Sequence, residues 1–190
     1  MRNLDDFDVL ILPGLGGSGA EHWHTFWEAA FPQFTRVEQS EWERPRYADW
    51  AATLTAALAR CRKPAVFVAH SLGTSLVMRW SHDNAALARA KVAGAFLAAP
   101  TDRDPLDCLP DTPAKGFGPM ILERLPFPSM VVASRDDDRV TFARAQTFAA
   151  AWGADFVDAG AHGHLGSAAQ LGLWPFGLVY FGQLLATLRG

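Results

Sequence analysis

Short apolar runs alternate with amphipathic stretches along this chain of 190 residues. The runs are mostly β-branched or aliphatic, as expected of strands that are buried on both faces of a sheet. They span Val9–Leu12, Thr35–Glu38, Ala65–Ala69, Val92–Ala98, Met130–Ala133 and Asp155–Val157. Strands that alternate with helices form parallel sheets with helices on both faces. The sequence therefore predicts a three-layer α/β fold with about six mostly parallel strands.

The stretches between these runs predict helices. In the second stretch, Trp50, Leu54 and Leu58 recur on one face at helical spacing. Another stretch ends before Gly153, a residue type favoured just past a helix because it enters the left-handed region without a steric cost. The predicted helices are Glu21–Phe31, Tyr47–Cys61, a helix that begins at Leu72, Thr141–Trp152 and Leu178–Leu188.

The segment Thr101–Pro128 differs from the rest of the chain because it carries six prolines. Prolines interrupt regular structure, so we expect an irregular segment that lies over the sheet and forms a small cap on a binding cleft. No internal repeat or linker divides the chain, and its length suits one domain with one core. We therefore predict a single domain over residues 1–190.

Composition and charge exclude several classes of protein. Hydrophobic residues make up 49% of the chain and charged residues 19%, which excludes a disordered chain. Lys and Arg number 17 against 20 Asp and Glu, so no basic field favours a nucleic-acid partner. The uncharged stretch between Asp158 and Arg189 is interrupted by glycines and Pro175. It predicts a loop and a buried helix rather than a membrane span.

The cysteines and the amino terminus favour a cytoplasmic location. Cys61 and Cys108 lie far apart, without the spacing of a zinc or redox site, and two cysteines are too few for a disulfide framework. The apolar run Val9–Leu12 follows three aspartates, whereas a signal peptide has a basic start and a longer apolar region. We therefore expect no export signal.

The segment Val66–Ser75 carries the strongest chemical motif. A buried strand leads into Ser71, and small residues then open a helix, as in a nucleophile elbow, where strand and helix backbones pass close together. Gly73 occupies the usual second glycine position, and Ala69 replaces the first glycine. The alternative is that Ser71 only caps the helix, because serine is a favoured N-cap residue.

Candidates for an acid and a base follow two later strands, in the order that an elbow serine requires. Asp136, Asp137 and Asp138 follow the fifth strand, and His162 and His164 follow the last. The residues alone do not distinguish the three aspartates or the two histidines. The alternatives are a solvated acidic loop and a partial metal site, although a metal would need further ligands.

The glycine-rich loop Gly14–Gly19 allows two interpretations. It satisfies the Gly-x-Gly-x-x-Gly pattern after a strand, and Glu38 lies where a ribose ligand would, so a dinucleotide site is one alternative. A hydrolase needs a loop at the same place, because a backbone N–H there helps to bind the oxyanion. The dinucleotide interpretation leaves Ser71 and His164 without a role.

One family is indicated by a combination of segments that are spread over nearly the whole chain. They are Leu12–Gly19 (LPGLGGSG), Glu21–Trp23 (EHW), Trp42–Pro45 (WERP), Ala69–Gly73 (AHSLG), Gly163-His164 and Trp174-Pro175. Together they resemble the small α/β-hydrolases of the retinoblastoma-binding protein 9 type. The resemblance implies a compact α/β-hydrolase fold with a reduced cap and a serine hydrolase that needs no cofactor.

The resemblance also implies a role for individual residues. It implies Ser71 as the nucleophile, Asp137 as the orienting acid and His164 as the general base, and it implies the N–H groups of Leu15 and Leu72 as the oxyanion hole. The expected reaction is hydrolysis of a small carboxylic ester or related acyl substrate through an acyl-enzyme intermediate. The family commonly has proline at the position of Asp138.

A protein-interaction module with a vestigial hydrolase site is the alternative function, since the resembled family is named for binding a protein. Seven tryptophans could supply an interaction surface. Most of them lie in amphipathic helices, where burial against the sheet is the more common outcome. The sequence itself therefore indicates a small-molecule substrate and gives no indication of a protein partner.

Overall fold

A computed structural model of the protein describes residues 3–107 and 111–188. It contains a six-stranded sheet in the order β2-β1-β3-β4-β5-β6, and every pair of neighbouring strands is parallel. The strands are β1 (Asp8–Leu12), β2 (Phe34–Arg36), β3 (Ala65–His70), β4 (Val92–Ala98), β5 (Ser129–Ala133) and β6 (Asp155–Asp158). All six predicted strands are confirmed, with ends that differ by at most two residues.

The helices connect these parallel strands. They are α1 (Trp23–Ala30), α2 (Tyr47–Arg60), α3 (Leu72–Asp83), α4 (Ala85–Lys91), α5 (Arg103–Asp107), α6 (Phe142–Trp152) and α7 (Pro175–Thr187). Helix α1 begins two residues later than predicted, because the His22 side chain caps it by accepting a hydrogen bond from the His24 N–H. Helix α7 begins earlier than predicted, with Pro175 in its first turn.

The two faces of the sheet carry separate apolar cores, because successive residues of a strand point to opposite sides. Phe67 lies in the core that α2, α3 and α6 cover, and Val68 lies in the core that α1 and α7 cover. This arrangement confirms the predicted three layers. The most deeply buried side chains include five of the seven tryptophans, which are Trp23, Trp27, Trp50, Trp80 and Trp152.

Tryptophans buried in this way do not supply an interaction surface, so these five side chains give the interaction-module alternative no support.

The proline-rich segment holds the short helix α5 and otherwise lacks regular secondary structure in its described residues. Arg103 is buried and donates hydrogen bonds to Thr112 Oγ1 and to the Ala114 carbonyl, which fixes one part of the segment to another. Phe117 is buried against Trp50 of α2. Cys108 lies outside the described residues.

The carboxyl ends of the strands position the site. Ser71 follows β3, the three aspartates follow β5, and His162 and His164 follow β6. Since all strands are parallel, these ends meet at one edge of the sheet, where ligands bind in open α/β sheets. None of the described helices is long and apolar enough to cross a membrane.

Candidate active site

Ser71 occupies a strained turn between β3 and α3. Its backbone has φ of 55° and ψ of −123°, a combination that is uncommon for residues other than glycine and that marks functional sites when the surrounding structure enforces it. A Cβ atom on Gly73 would lie 2.1 Å from the Leu12 carbonyl oxygen, so only glycine fits where α3 passes β1. This is the geometry of a nucleophile elbow.

His164 links Ser71 to Asp137. Its Nε2 lies 2.7 Å from Ser71 Oγ, and its Nδ1 lies 2.9 Å from each carboxylate oxygen of Asp137. An ionised carboxylate only accepts hydrogen bonds, so the proton of the neutral imidazole is on Nδ1. Nε2 therefore presents a lone pair and accepts the hydrogen bond from the Ser71 hydroxyl. The three side chains form one directed chain of hydrogen bonds.

The three adjacent aspartates have three different surroundings. The Asp137 side chain is 0% exposed, and it also accepts a hydrogen bond of 2.8 Å from the Arg139 N–H. Asp136 accepts from Ser134 Oγ and from the Gly163 N–H, and these bonds lower the pKa of its carboxyl. The Asp138 side chain is 73% exposed. Only Asp137 contacts the imidazole of His164.

His162 does not reach this chain of hydrogen bonds. It is exposed, its carbonyl accepts a hydrogen bond from the Leu165 N–H, and its backbone N–H donates a hydrogen bond of 2.8 Å to Ser134 Oγ. The bond to Ser134 fixes the loop after β6 to the loop after β5. The structure thus places His164 beside Ser71 and His162 at the surface.

The two residues expected to form the oxyanion hole flank Ser71. Leu72 is the first residue of α3, where the N–H groups carry the positive end of the helix dipole. A Cβ atom on Gly14 would lie 2.8 Å from Ser71 Cβ, which shows how closely the glycine-rich loop approaches the serine at Gly14. Leu15, Leu72, Ser71 and His164 all line one cavity of about 360 Å³.

Three buried histidines form a second hydrogen-bonded chain behind the site. The backbone N–H of His24 donates to His22 Nδ1 over 3.1 Å, His22 Nε2 lies 3.3 Å from His70 Nδ1, and His70 Nε2 lies 2.7 Å from the His164 carbonyl oxygen. A carbonyl only accepts, so His70 donates from Nε2 and accepts at Nδ1 from His22 Nε2. Both rings are therefore neutral, and the chain ends on the backbone of His164.

The sequence patterns do not predict this chain of histidines. His22 and His70 occur in the segments that carried the family resemblance, but their spacing along the chain does not show that their rings meet. The signal available was the position of His70 directly before Ser71, on a strand whose other residues are apolar.

Burial of these histidines makes stability depend on pH. Desolvation lowers the pKa of His22 to about 4 and lowers the pKa values of His24 and His70 well below 6.5. Between pH 6.5 and 4 the unfolded chain binds protons that the folded chain does not bind. The free energy of unfolding therefore falls as the pH decreases through this range, by up to about 1.4 kcal/mol per pH unit for each histidine.

Urea denaturation at a series of pH values tests this prediction, and His22→Gln is expected to reduce the slope. A wild-type free energy of unfolding that is the same at pH 6.5 and pH 4.5 would contradict it.

The metal and dinucleotide alternatives find little support in the geometry. Among the described residues, one group has three metal-ligand atoms within 4.8 Å of one another, and it consists of Asp137, Asp138 and His164. Asp137 and His164 already bond to each other, and His162 is not in the group. The glycine-rich loop does not lead directly into a helix, since α1 begins at Trp23 and the His22 ring occupies its N-terminus.

The fold and the site define the class of this protein as an α/β-hydrolase. The chain belongs to the serine hydrolase family, whose family model matches residues 9–183. No curated protein sequence matches the chain.

Solved structures support the same class. A ydeN-like hydrolase from Pectobacterium atrosepticum is 27% identical with a TM-score of 0.85, over 98% of this chain and 94% of that chain. The ydeN gene product from B. subtilis is 18% identical with a TM-score of 0.71, over 94% and 98%. Est1E from Butyrivibrio proteoclasticus, solved with ferulic acid bound, is 12% identical with a TM-score of 0.68, over 94% and 89%. The last two show similarity of fold alone.

Proposed function

We propose that this serine hydrolase cleaves a small carboxylic ester through an acyl-enzyme intermediate. Ser71 is the nucleophile, His164 the general base and Asp137 the acid that orients the imidazole. The observation that carries the proposal is the directed hydrogen-bond chain from the Ser71 hydroxyl through both nitrogens of His164 to the Asp137 carboxylate. A nucleophile, a base and an orienting group in hydrogen-bond contact are the parts that acyl transfer requires.

In the first half-reaction, Ser71 Oγ bonds to the ester carbonyl carbon while its proton moves to His164 Nε2. The carbonyl oxygen becomes an oxyanion, and the N–H groups of Leu15 and Leu72 are the donors that stabilise it. His164 then gives its proton to the leaving alkoxide as the bond from carbon to that oxygen breaks. Asp137 stabilises the positive charge that the imidazole carries in between.

In the second half-reaction, water attacks the acyl carbon and His164 Nε2 accepts a proton from it. The bond between the acyl carbon and Ser71 Oγ then breaks, and the proton returns to Oγ. The products are the carboxylic acid and the free enzyme. Each step uses groups of this chain and one water molecule, so the proposed reaction needs no cofactor.

The cavity supports a small substrate. Its volume of about 360 Å³ is near the lower end of the range for small-molecule sites. Its wall combines the apolar Leu15, Leu72 and Pro113 with the polar Thr101 and Thr112. We therefore propose that the enzyme is a carboxylesterase. From the sequence patterns, we further propose a single domain over residues 1–190 of the retinoblastoma-binding protein 9 type, acting in the cytoplasm.

Labelling with a fluorophosphonate tests the proposed nucleophile. We expect one adduct per chain on the peptide that contains Ser71, because only an activated serine attacks the phosphorus at an appreciable rate. Peptide mass mapping locates the adduct, and Ser75 and Ser81, buried on the same helix, serve as internal controls. An unlabelled protein, or an adduct on another serine, would contradict the proposal.

The acyl range follows from hydrolysis of p-nitrophenyl esters of graded chain length. We expect the short esters, from acetyl to about butyryl, to have the highest kcat/KM because the cavity is small.

A further inference from the structure

Thr101 contacts the reacting atom of the site. Its Oγ1 lies 3.1 Å from Ser71 Oγ. The residue is 5% exposed and lies three residues beyond the end of β4, on the wall of the cavity into which Ser71 opens. In the described part of the chain, the Thr101 hydroxyl bonds to Ser71 Oγ alone. Neither the motif pattern nor the family resemblance gave this threonine a role.

The direction of this hydrogen bond follows from its neighbours. The His164 proton is on Nδ1, facing Asp137, so Nε2 accepts the hydrogen of the Ser71 hydroxyl. Ser71 Oγ has a single hydrogen, and that hydrogen points to His164. The Thr101 hydroxyl is therefore the donor, and a lone pair of Ser71 Oγ is the acceptor.

A donor on this oxygen changes the energetics of its attack. When the Ser71 proton moves to His164, negative charge develops on Oγ, and a hydrogen bond to a charged acceptor is stronger than one to a neutral acceptor. The bond from Thr101 thus strengthens as the nucleophile forms. Once Oγ is the ester oxygen of an acyl-enzyme it is a poor acceptor, so the stabilisation is greatest before the new bond is complete.

We propose that Thr101 is a further catalytic residue, whose hydroxyl donates to Ser71 Oγ and stabilises the charge that develops there during attack. The inference rests on the proposed function of Ser71 and adds to it a group outside the Ser71, His164 and Asp137 set. It gives the loop after β4 a part in the reaction, beside the loops after β3, β5 and β6.

The experiment measures the second-order rate constant for labelling by a fluorophosphonate. In this reaction the bond from Ser71 Oγ to phosphorus forms, the bond from phosphorus to fluorine breaks, fluoride leaves, and His164 accepts the serine proton. The rate therefore reports attack by Oγ without the later hydrolysis. Thr101→Val removes the hydroxyl and keeps the shape of the side chain, and Thr101→Ser keeps the hydroxyl and removes the methyl group.

We expect Thr101→Val to lower this rate constant about 10- to 100-fold, the range for loss of a hydrogen bond to a charged acceptor. Thr101→Ser is expected to stay within about threefold of the wild type, because it keeps the donor. Thr147→Val makes the same chemical change at an exposed position on α6 and is the matched control. Should Thr101→Val not fold, as judged by circular dichroism, Thr101→Ala takes its place against Thr101→Ser.

Two results would overturn the inference alone, namely wild-type labelling rates in Thr101→Val, or equally slow labelling in Thr101→Val and Thr101→Ser. The second result would show that the rate depends on packing around position 101 and not on the hydroxyl as a donor. If the wild-type protein itself is not labelled at Ser71, the proposed function fails and the role of Thr101 fails with it. These outcomes are distinguished in one series of measurements.

Discussion

His164→Ala is expected to lower kcat for a p-nitrophenyl ester by about 10⁴-fold or more. The serine hydroxyl is a poor nucleophile without a base, and in serine hydrolases the base, the nucleophile and the orienting acid act as a unit. His164 is the histidine whose Nε2 lies 2.7 Å from Ser71 Oγ. Alanine at position 164 leaves the proton of the Ser71 hydroxyl without an acceptor. Steady-state hydrolysis, with the folded fraction checked by circular dichroism, provides the measurement.

His162→Ala is the matched control, since the same substitution two residues earlier removes an exposed ring and keeps the backbone N–H that bonds to Ser134. Its activity is expected to remain within about threefold of the wild type, because surface substitutions usually have small effects. Equal losses in the two variants, or the larger loss in His162→Ala, would mean that the loop after β6 is assigned incorrectly.

Much of the fold could be predicted because its strands are buried on both faces. Each strand reads as a short apolar run, and such runs in alternation with helices leave little choice other than a parallel sheet. The start of α1 could not be predicted, because it depends on the ring of His22, a residue that is not a common N-cap. Residues 108–110 of the predicted cap lie outside the described residues.

The site could be predicted as far as its motifs are local. Ser71 and Gly73 lie two residues apart, and the steric demand of the elbow is visible in that spacing. The contacts made by His70 and Thr101 join residues that are 94 and 30 positions apart in the sequence. No local pattern encodes such contacts, since they depend on how the loops after β4 and β6 return over the end of β3.

The three adjacent aspartates show a different reason why part of the site could not be predicted from the sequence. They have the same chemistry and differ only in where the loop after β5 directs each side chain. Asp138 faces solvent. Asp136 is exposed too, and it holds the loop of His164 through the Gly163 N–H, while Thr141 caps α6. Backbone geometry, rather than residue type, distinguishes the three.

Asp137→Asn is expected to lower kcat by about 10⁴-fold, the loss that the same change produces in a serine protease. The carboxylate holds the Nδ1 proton and stabilises the imidazolium that forms when His164 accepts the serine proton. An asparagine amide is neutral, and it can also donate a hydrogen bond to Nδ1, which would place the imidazole proton on Nε2, facing Ser71. His164 could then no longer accept from Ser71. Because the Asp137 side chain is buried, water cannot stabilise the imidazolium in place of the lost carboxylate.

Asp136→Asn and Asp138→Asn make the same change on either side and are the controls. Asparagine at position 136 retains an oxygen that can accept from Ser134 and Gly163, and position 138 is exposed. Both variants are expected to stay within about tenfold of the wild type on one ester. A large loss in Asp138→Asn alone would move the acid by one residue while keeping the mechanism. Activity in all three variants would mean that the orienting acid lies in another loop. We do not expect this result, because Asp137 is the one described carboxylate within hydrogen-bond distance of the His164 imidazole.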